Sequence, residues 1–208
     1  MIHRSKQLWI DDGIILNKIS SLRQNYYIIT VFCKERGIYK GVIQNDINQK
    51  LQVGSITNCK YYCNGDRMGY FICEIKYLIN INNLIYIKLT AILSIVKTII
   101  KTSSERQCMK NSYNALYNFI KNLQTSAWIT YFIIFEFNYL KDLGYGINLN
   151  ESYHLKKILQ NKITNISIDD IRKILEIINL YFKKNCFDPF NIKVPIFRQV
   201  LFDQLCEK

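Results

Sequence analysis

The chain has 208 residues, with 28 Lys and Arg against 16 Asp and Glu for a formal charge of +12, so it can build one sizeable core or two small ones and is suited to a polyanion partner. Only seven of the basic residues are arginine, and the chain is rich in Ile, Asn, Lys and Tyr, a bias that an A/T-rich genome would itself produce. No apolar run reaches the ~20 clean residues that span a bilayer, and Asp11-Asp12 comes too soon after the basic N-terminus for a secretory signal; a cytoplasmic, membrane-free protein is expected.

Trp9 to Lys76 holds five short β-rich runs: Trp9 to Ile19, Tyr26 to Cys33, Ile38 to Gln44, Ile56 to Cys63 and Met68 to Lys76. Turn-forming pieces separate them, among them Glu35-Arg36-Gly37, Val53-Gly54-Ser55 and Asn64-Gly65-Asp66. Asn-Gly between two such runs signals a hairpin, since both residues tolerate the positive φ of a primed turn. Five strands suit a small barrel of the OB type, whose face and loops commonly hold nucleic acid.

Beyond about residue 80 the pattern turns helical. The expected fold is therefore α+β: a five-stranded OB-fold barrel over 1–80, then an all-helical domain over 81–208. Helices are expected over Leu84 to Thr102, Tyr113 to Leu123, and from a Thr125 or Ser126 cap through Trp128, Tyr131, Phe135 and Tyr139 to Leu143. Gly144 suits the left-handed position after that helix, with Tyr145 folding back as cover. Ser167-Ile168-Asp169-Asp170 starts another helix with an acidic first turn, running to about Lys184. Pro195 opens a last one over Ile196 to Leu205. Between them, 150–167 holds at most a short helix around Leu155 to Leu159.

No catalytic constellation is visible. His3 and His154 stand apart from any acid or cysteine at triad or ligand spacing, and neither a phosphate-cradling loop nor a dinucleotide fingerprint is present. Seven cysteines, an odd number without paired Cys-x-x-Cys spacing, read as reduced thiols rather than as a zinc site. Neither a cofactor nor a metal is expected.

Several stretches resemble the RecO family of DNA repair and recombination mediators. Trp9-Ile-Asp-Asp-Gly-Ile-Ile-Leu16 is similar to the family's first barrel strand, and Asn25 to Ile43 to its second and third. Leu51-Gln-Val-Gly-Ser55 stands where the family has a Leu-Gln-Pro-Gly turn. Phe135 to Leu149 resembles its helix ending in Leu-Gly-Tyr-Gly, and Ile174 to Leu205 its closing helices, with the Arg-bearing last one around Arg198. The resemblance implies a non-enzymatic protein that binds single- and double-stranded DNA, anneals strands and helps load the recombinase of the RecF pathway. It implies RecR and the C-terminal tail of single-strand-binding protein as partners. Two departures stand out: the loop Gln44 to Lys50, strongly basic in many relatives, holds one lysine and one aspartate here, and Asn150 to Asn185 lacks the four cysteines of a zinc site found in some.

For such binding, Lys and Arg supply counterion release and aromatic rings supply stacking. The candidate DNA contacts are Arg23, Lys34, Arg36, Lys40, Lys50 and Lys60, extended by Arg106 and Lys110. Tyr39, Tyr61 and Tyr62 are the candidate stacking rings, although alternation along a strand turns one of Tyr61 and Tyr62 inward. Arg23 and Arg36 rank first, since the guanidinium fork suits phosphate. Aromatics on the helix from Trp128 to Tyr139 read mainly as core, with an exposed subset and Lys141 open to an acidic peptide tail. An OB-fold RNA-binding factor and a protein-only scaffold with drifted charge are the alternatives.

Overall fold

The computed structural model describes residues 6–22, 24–44, 50–64, 68–80, 83–148, 155–156, 158 and 167–206. Arg23, the 45–49 part of the weakly basic loop, Gly65-Asp66 of the expected hairpin turn, both histidines and most of 150–167 lie outside them. The chain divides into two compact units, Met1–Asn80 with Ser104–Tyr113, and Ile81–Ser103 with Asn114–Lys208. A division at residue 80 alone would have assigned Ser104–Tyr113 to the helices; these residues belong with the strands.

In the first unit, β1 (Lys6–Ser20), β2 (Tyr26–Cys33), β3 (Gly37–Gln44), β4 (Ile56–Asn64) and β5 (Gly69–Tyr77) close a barrel in the order β1-β2-β3-β5-β4. All pairings are antiparallel except the short β3–β5 contact, Gly41 with Gly69 and Val42 with Tyr70. β1 is long because it serves two neighbours. Its first part pairs with β4 and its second with β2, and a register shift between Ile15 and Asn17 marks an irregularity where a strand can bend.

Strand alternation then sorts the side chains. Trp9, Tyr61 and Phe71 are aligned across β1, β4 and β5 and all point inward. Trp9 stacks on Tyr61 with centroids 4.9 Å apart, and Tyr61 meets Phe71 at 4.8 Å. Aromatic pairs of this kind contribute about 0.5–1.5 kcal/mol beyond their buried area. Cys59 and Cys73, also register partners, bring their buried sulfurs to 3.2 Å as thiols. Among the described residues, no group of three or more His, Cys, Asp or Glu is placed to hold a metal ion.

The helices are α1 (Tyr86–Thr102), α2 (Lys110–Asn122), α3 (Trp128–Asp142), α4 (Ile168–Phe182) and α5 (Ile196–Cys206). α2 starts three residues ahead of the expected Tyr113, in the first unit, and ends in the second. Neither Thr125 nor Ser126 caps α3: its N-cap is Ala127, without a side-chain bond, and Thr125 instead donates to the Asn122 carbonyl. The other end is as expected. Gly144 takes φ +90°, its N–H donates to Lys141 O, and Tyr145 N donates to Leu140 O, the paired bonds of a Schellman stop. Ser167 caps α4 through Asp170 N at 3.1 Å. α4 ends at Phe182, where a π-turn (Lys183–Phe187) and a short 3-10 turn over Pro189 follow.

Glu136, the acid that interrupts the apolar run of α3, is fully buried against an equally buried Arg198 of α5. Arg198 Nη1 donates to Glu136 Oε1 at 2.9 Å, Nη2 lies 2.7 Å from Oε2, and Nε donates to Asn179 Oδ1 at 3.1 Å. The guanidinium sits 4.2 Å from the Phe182 ring centroid. One forked cation thus ties together three helices. Among the described residues no helix is long and apolar enough to cross a membrane.

Candidate nucleic-acid interface

The β2–β3 turn, Lys34 to Arg36, and the segment 104–110 meet at one end of the first unit. Glu105 bridges Ile38 in parallel, and Arg106 N donates to Ile38 O at 3.0 Å. Gly37 makes this approach possible. It has φ +77°, and a Cβ there would stand 2.0 Å from the Gln107 carbonyl oxygen, so no other residue fits without moving the segment.

Five expected contact residues gather here. Lys40 Nζ is 2.7 Å from Glu105 Oε1, and Lys110 Nζ is 2.8 Å from Glu35 Oε1; all four side chains are about half exposed. The Lys110 bond holds the Glu35 carboxyl below its usual range, and Glu35 in turn raises the Lys110 ammonium. Arg36 and Arg106 are exposed and, among the described residues, have no carboxylate within ion-pair distance. Each lies over an aromatic ring: Arg36 is 5.1 Å from the Trp9 centroid and Arg106 5.6 Å from that of Tyr39. Trp9 and Tyr39 themselves meet edge-on at 4.9 Å. Cation–π contact presets the guanidinium planes while leaving their N–H edges to solvent. Arg106 also takes φ +64°, a left-handed backbone that costs a non-glycine residue about 1 kcal/mol or more.

Lys34, half-buried, adds a fifth cation; its N–H donates to Asp12 O at 2.9 Å. Acids interleave with these cations. Asp11 is buried, which raises its carboxyl, and accepts Glu35 N at 2.9 Å. Asp12 feels burial too, but the Lys76 and Asn58 hydrogen bonds hold it below the ordinary range.

The remaining expected contacts lie elsewhere. Lys50 is exposed ahead of Leu51, and Lys60 is on the outer face of β4. There Lys60 is aligned with Ile10 and Ile72, beside the row Leu8, Tyr62 and Tyr70; these five neighbours are 40–62% exposed. The two adjacent tyrosines are thus told apart. Tyr62 faces out, whereas Tyr61 is 3% exposed, with its hydroxyl accepting Gly69 N, and is core rather than a stacking surface. Tyr39 is half-buried under Arg106. Trp9 was not among the expected site residues, yet it underlies Arg36. Phe132, Phe135 and Tyr139 are fully buried, which leaves half-buried Trp128, Tyr131 and Phe137 of the α3 aromatics for a peptide.

Comparison with known proteins adds a second line. The family model described as Recombination protein O C terminal matches residues 85–169, from the start of α1 to the start of α4. The DNA repair protein RecO of Rickettsia bellii is 25% identical over an alignment covering 95% of this chain and 96% of that protein. Those of Rickettsia felis and Rickettsia akari are 30% and 31% identical, each alignment covering 68% of this chain and 61% of the relative. The chain belongs to the RecO family. This RecO-family chain carries its strands first and its helices after, with the Leu143-Gly144-Tyr145-Gly146 stop inside the matched segment.

Proposed function

We propose that the chain is a non-enzymatic DNA repair and recombination mediator. In this reading the first unit is an OB-fold that binds single- and double-stranded DNA, and the protein anneals complementary strands and helps load a recombinase in the RecF pathway. RecR and the tail of single-strand-binding protein are its partners, near the nucleoid. The observation that carries the reading is the cluster of Lys34, Arg36, Lys40, Arg106 and Lys110, with two guanidinium groups seated on rings. It includes the β2–β3 turn and the start of β3, part of the face on which OB barrels take oligonucleotides. Such cations bind phosphates by displacing the counterions condensed along the strand, without any covalent chemistry.

Mixing the protein with complementary oligonucleotides at low salt tests the annealing directly. Duplex is expected to form several-fold faster than without protein, and an unchanged rate would contradict the mediator role. A protein-only scaffold is the second reading, favoured by the exposed apolar row of Leu8, Ile10, Tyr62, Tyr70 and Ile72; a scaffold would leave annealing unaffected.

A further inference from the structure

Two of the five clustered cations are already answered by the protein's own carboxylates. Lys40 is held by Glu105 at 2.7 Å and Lys110 by Glu35 at 2.8 Å. Both acids belong to the elements that build the site: Glu35 lies in the β2–β3 turn, and Glu105 in the segment bridged to Ile38. A carboxylate on an ammonium occupies the position that a phosphate oxygen would take, at the same hydrogen-bond length. We infer that Glu35 and Glu105 are internal phosphate mimics that hold the DNA affinity of this surface below what its cations would give. The inference rests on the DNA-binding reading above and adds its regulation.

The thermodynamics follow from counterion release. While Lys40 stays on Glu105, it neutralises no phosphate and frees none of the cations condensed on the strand, so it adds nothing to the salt dependence of binding. If phosphate displaces Glu105 instead, the lost Lys40–Glu105 pair and the repulsion between the freed carboxylate and the phosphate offset the gain. Either way, each paired lysine is silent, and Arg36, Arg106 and Lys34 are left to supply the electrostatic grip. Removing a carboxylate restores one working cation. Affinity then rises, and the plot of log K against log salt steepens by about 0.7 per lysine for a single strand.

The test compares the full chain with Glu35→Gln, Glu105→Gln and the double variant, using a fluorescent single-stranded oligonucleotide over a range of salt. Each single variant is expected to bind several-fold tighter at low salt, and the double variant to steepen the slope by about 1.4. Any lost acid raises the net charge, so two controls separate the local effect from the global one. Glu74→Gln removes an exposed acid on the outer face of β5, with the same charge change, and is expected to leave the affinity near wild type. In a Lys40→Gln background, Glu105→Gln is expected to give no gain, because there is no lysine to release.

An equal gain from Glu74→Gln, or a gain that survives in the Lys40→Gln background, would overturn the inference. So would variants that bind like the wild type while the wild type binds DNA. Absence of binding by wild type and variants alike would instead overturn the DNA-binding reading, and the inference with it. Binding by the variants alone would support complete masking. The substitutions are isosteric and at half-exposed positions, and a thermal melt checks that each variant folds.

Discussion

Glu136→Gln is expected to lower the unfolding free energy by about 3–5 kcal/mol, the usual cost of leaving a buried charge uncompensated. Arg198 is fully buried. Its remaining partners are a neutral amide, Asn179, and the faces of Phe182 and Phe202, none of which balances a full charge. For a chain of this length the loss corresponds to a fall of roughly 10 °C in Tm. Replacing both partners, with Glu136→Leu and Arg198→Met, is expected to recover most of that loss, because two apolar side chains of similar volume remove the desolvation cost along with the attraction. Urea unfolding followed by circular dichroism measures both. A single variant within about 1 kcal/mol of wild type would mean that the pair is not buried as described.

Arg36→Ala combined with Arg106→Ala is expected to weaken single-strand binding by roughly tenfold or more at low salt, about 1.4 kcal/mol. The same change should make the salt slope shallower by about 1.4, or 0.7 for each lost phosphate contact. These two side chains stand out because they carry no internal acid among the described residues, whereas Lys40 and Lys110 do. Both guanidinium groups are exposed, so their loss should leave the barrel folded. Lys60→Ala serves as the contrast. Its side chain lies on the outer face of β4 between Ile10 and Ile72, and its removal should change affinity by less than about twofold. Fluorescence anisotropy reads all three. A greater loss from Lys60 than from the arginine pair would move the binding surface to the outer β1–β4–β5 face.

The strands were legible because a closed barrel imposes period-two alternation and needs turns between its runs. β2 falls on the expected Tyr26–Cys33, and the other strands differ from expectation by three residues or fewer at each end. The Gly144 stop and the Ser167 cap were equally legible, since both are local chemistry. What sequence spacing does not carry is pairing between distant segments. Glu105 bridges Ile38, and periodicity near residue 105 shows only a break after α1, so 104–112 read as a connection between two helices of the helical half. The same blindness hid the Lys40–Glu105 and Lys110–Glu35 pairs, and with them the masking of two expected contacts. The parity that sends Tyr61 inward and Tyr62 outward depends on register with β1 and β5, which neither tyrosine's neighbours in sequence decide. One distant pairing had left a trace: a lone acid in the apolar run of α3 and a lone arginine in an apolar last helix are each costly alone, and burial requires them to meet.

Titrating the full chain with a labelled single strand, from about 50 to about 200 mM salt, measures how many cations the surface commits to phosphate. With Arg36, Arg106 and Lys34 engaged, log K is expected to fall against log salt with a slope of about −2, and the double Glu35→Gln, Glu105→Gln variant to approach about −3.5. A slope near zero, or no measurable binding even at the lowest salt, would contradict a phosphate-gripping surface at this end of the barrel.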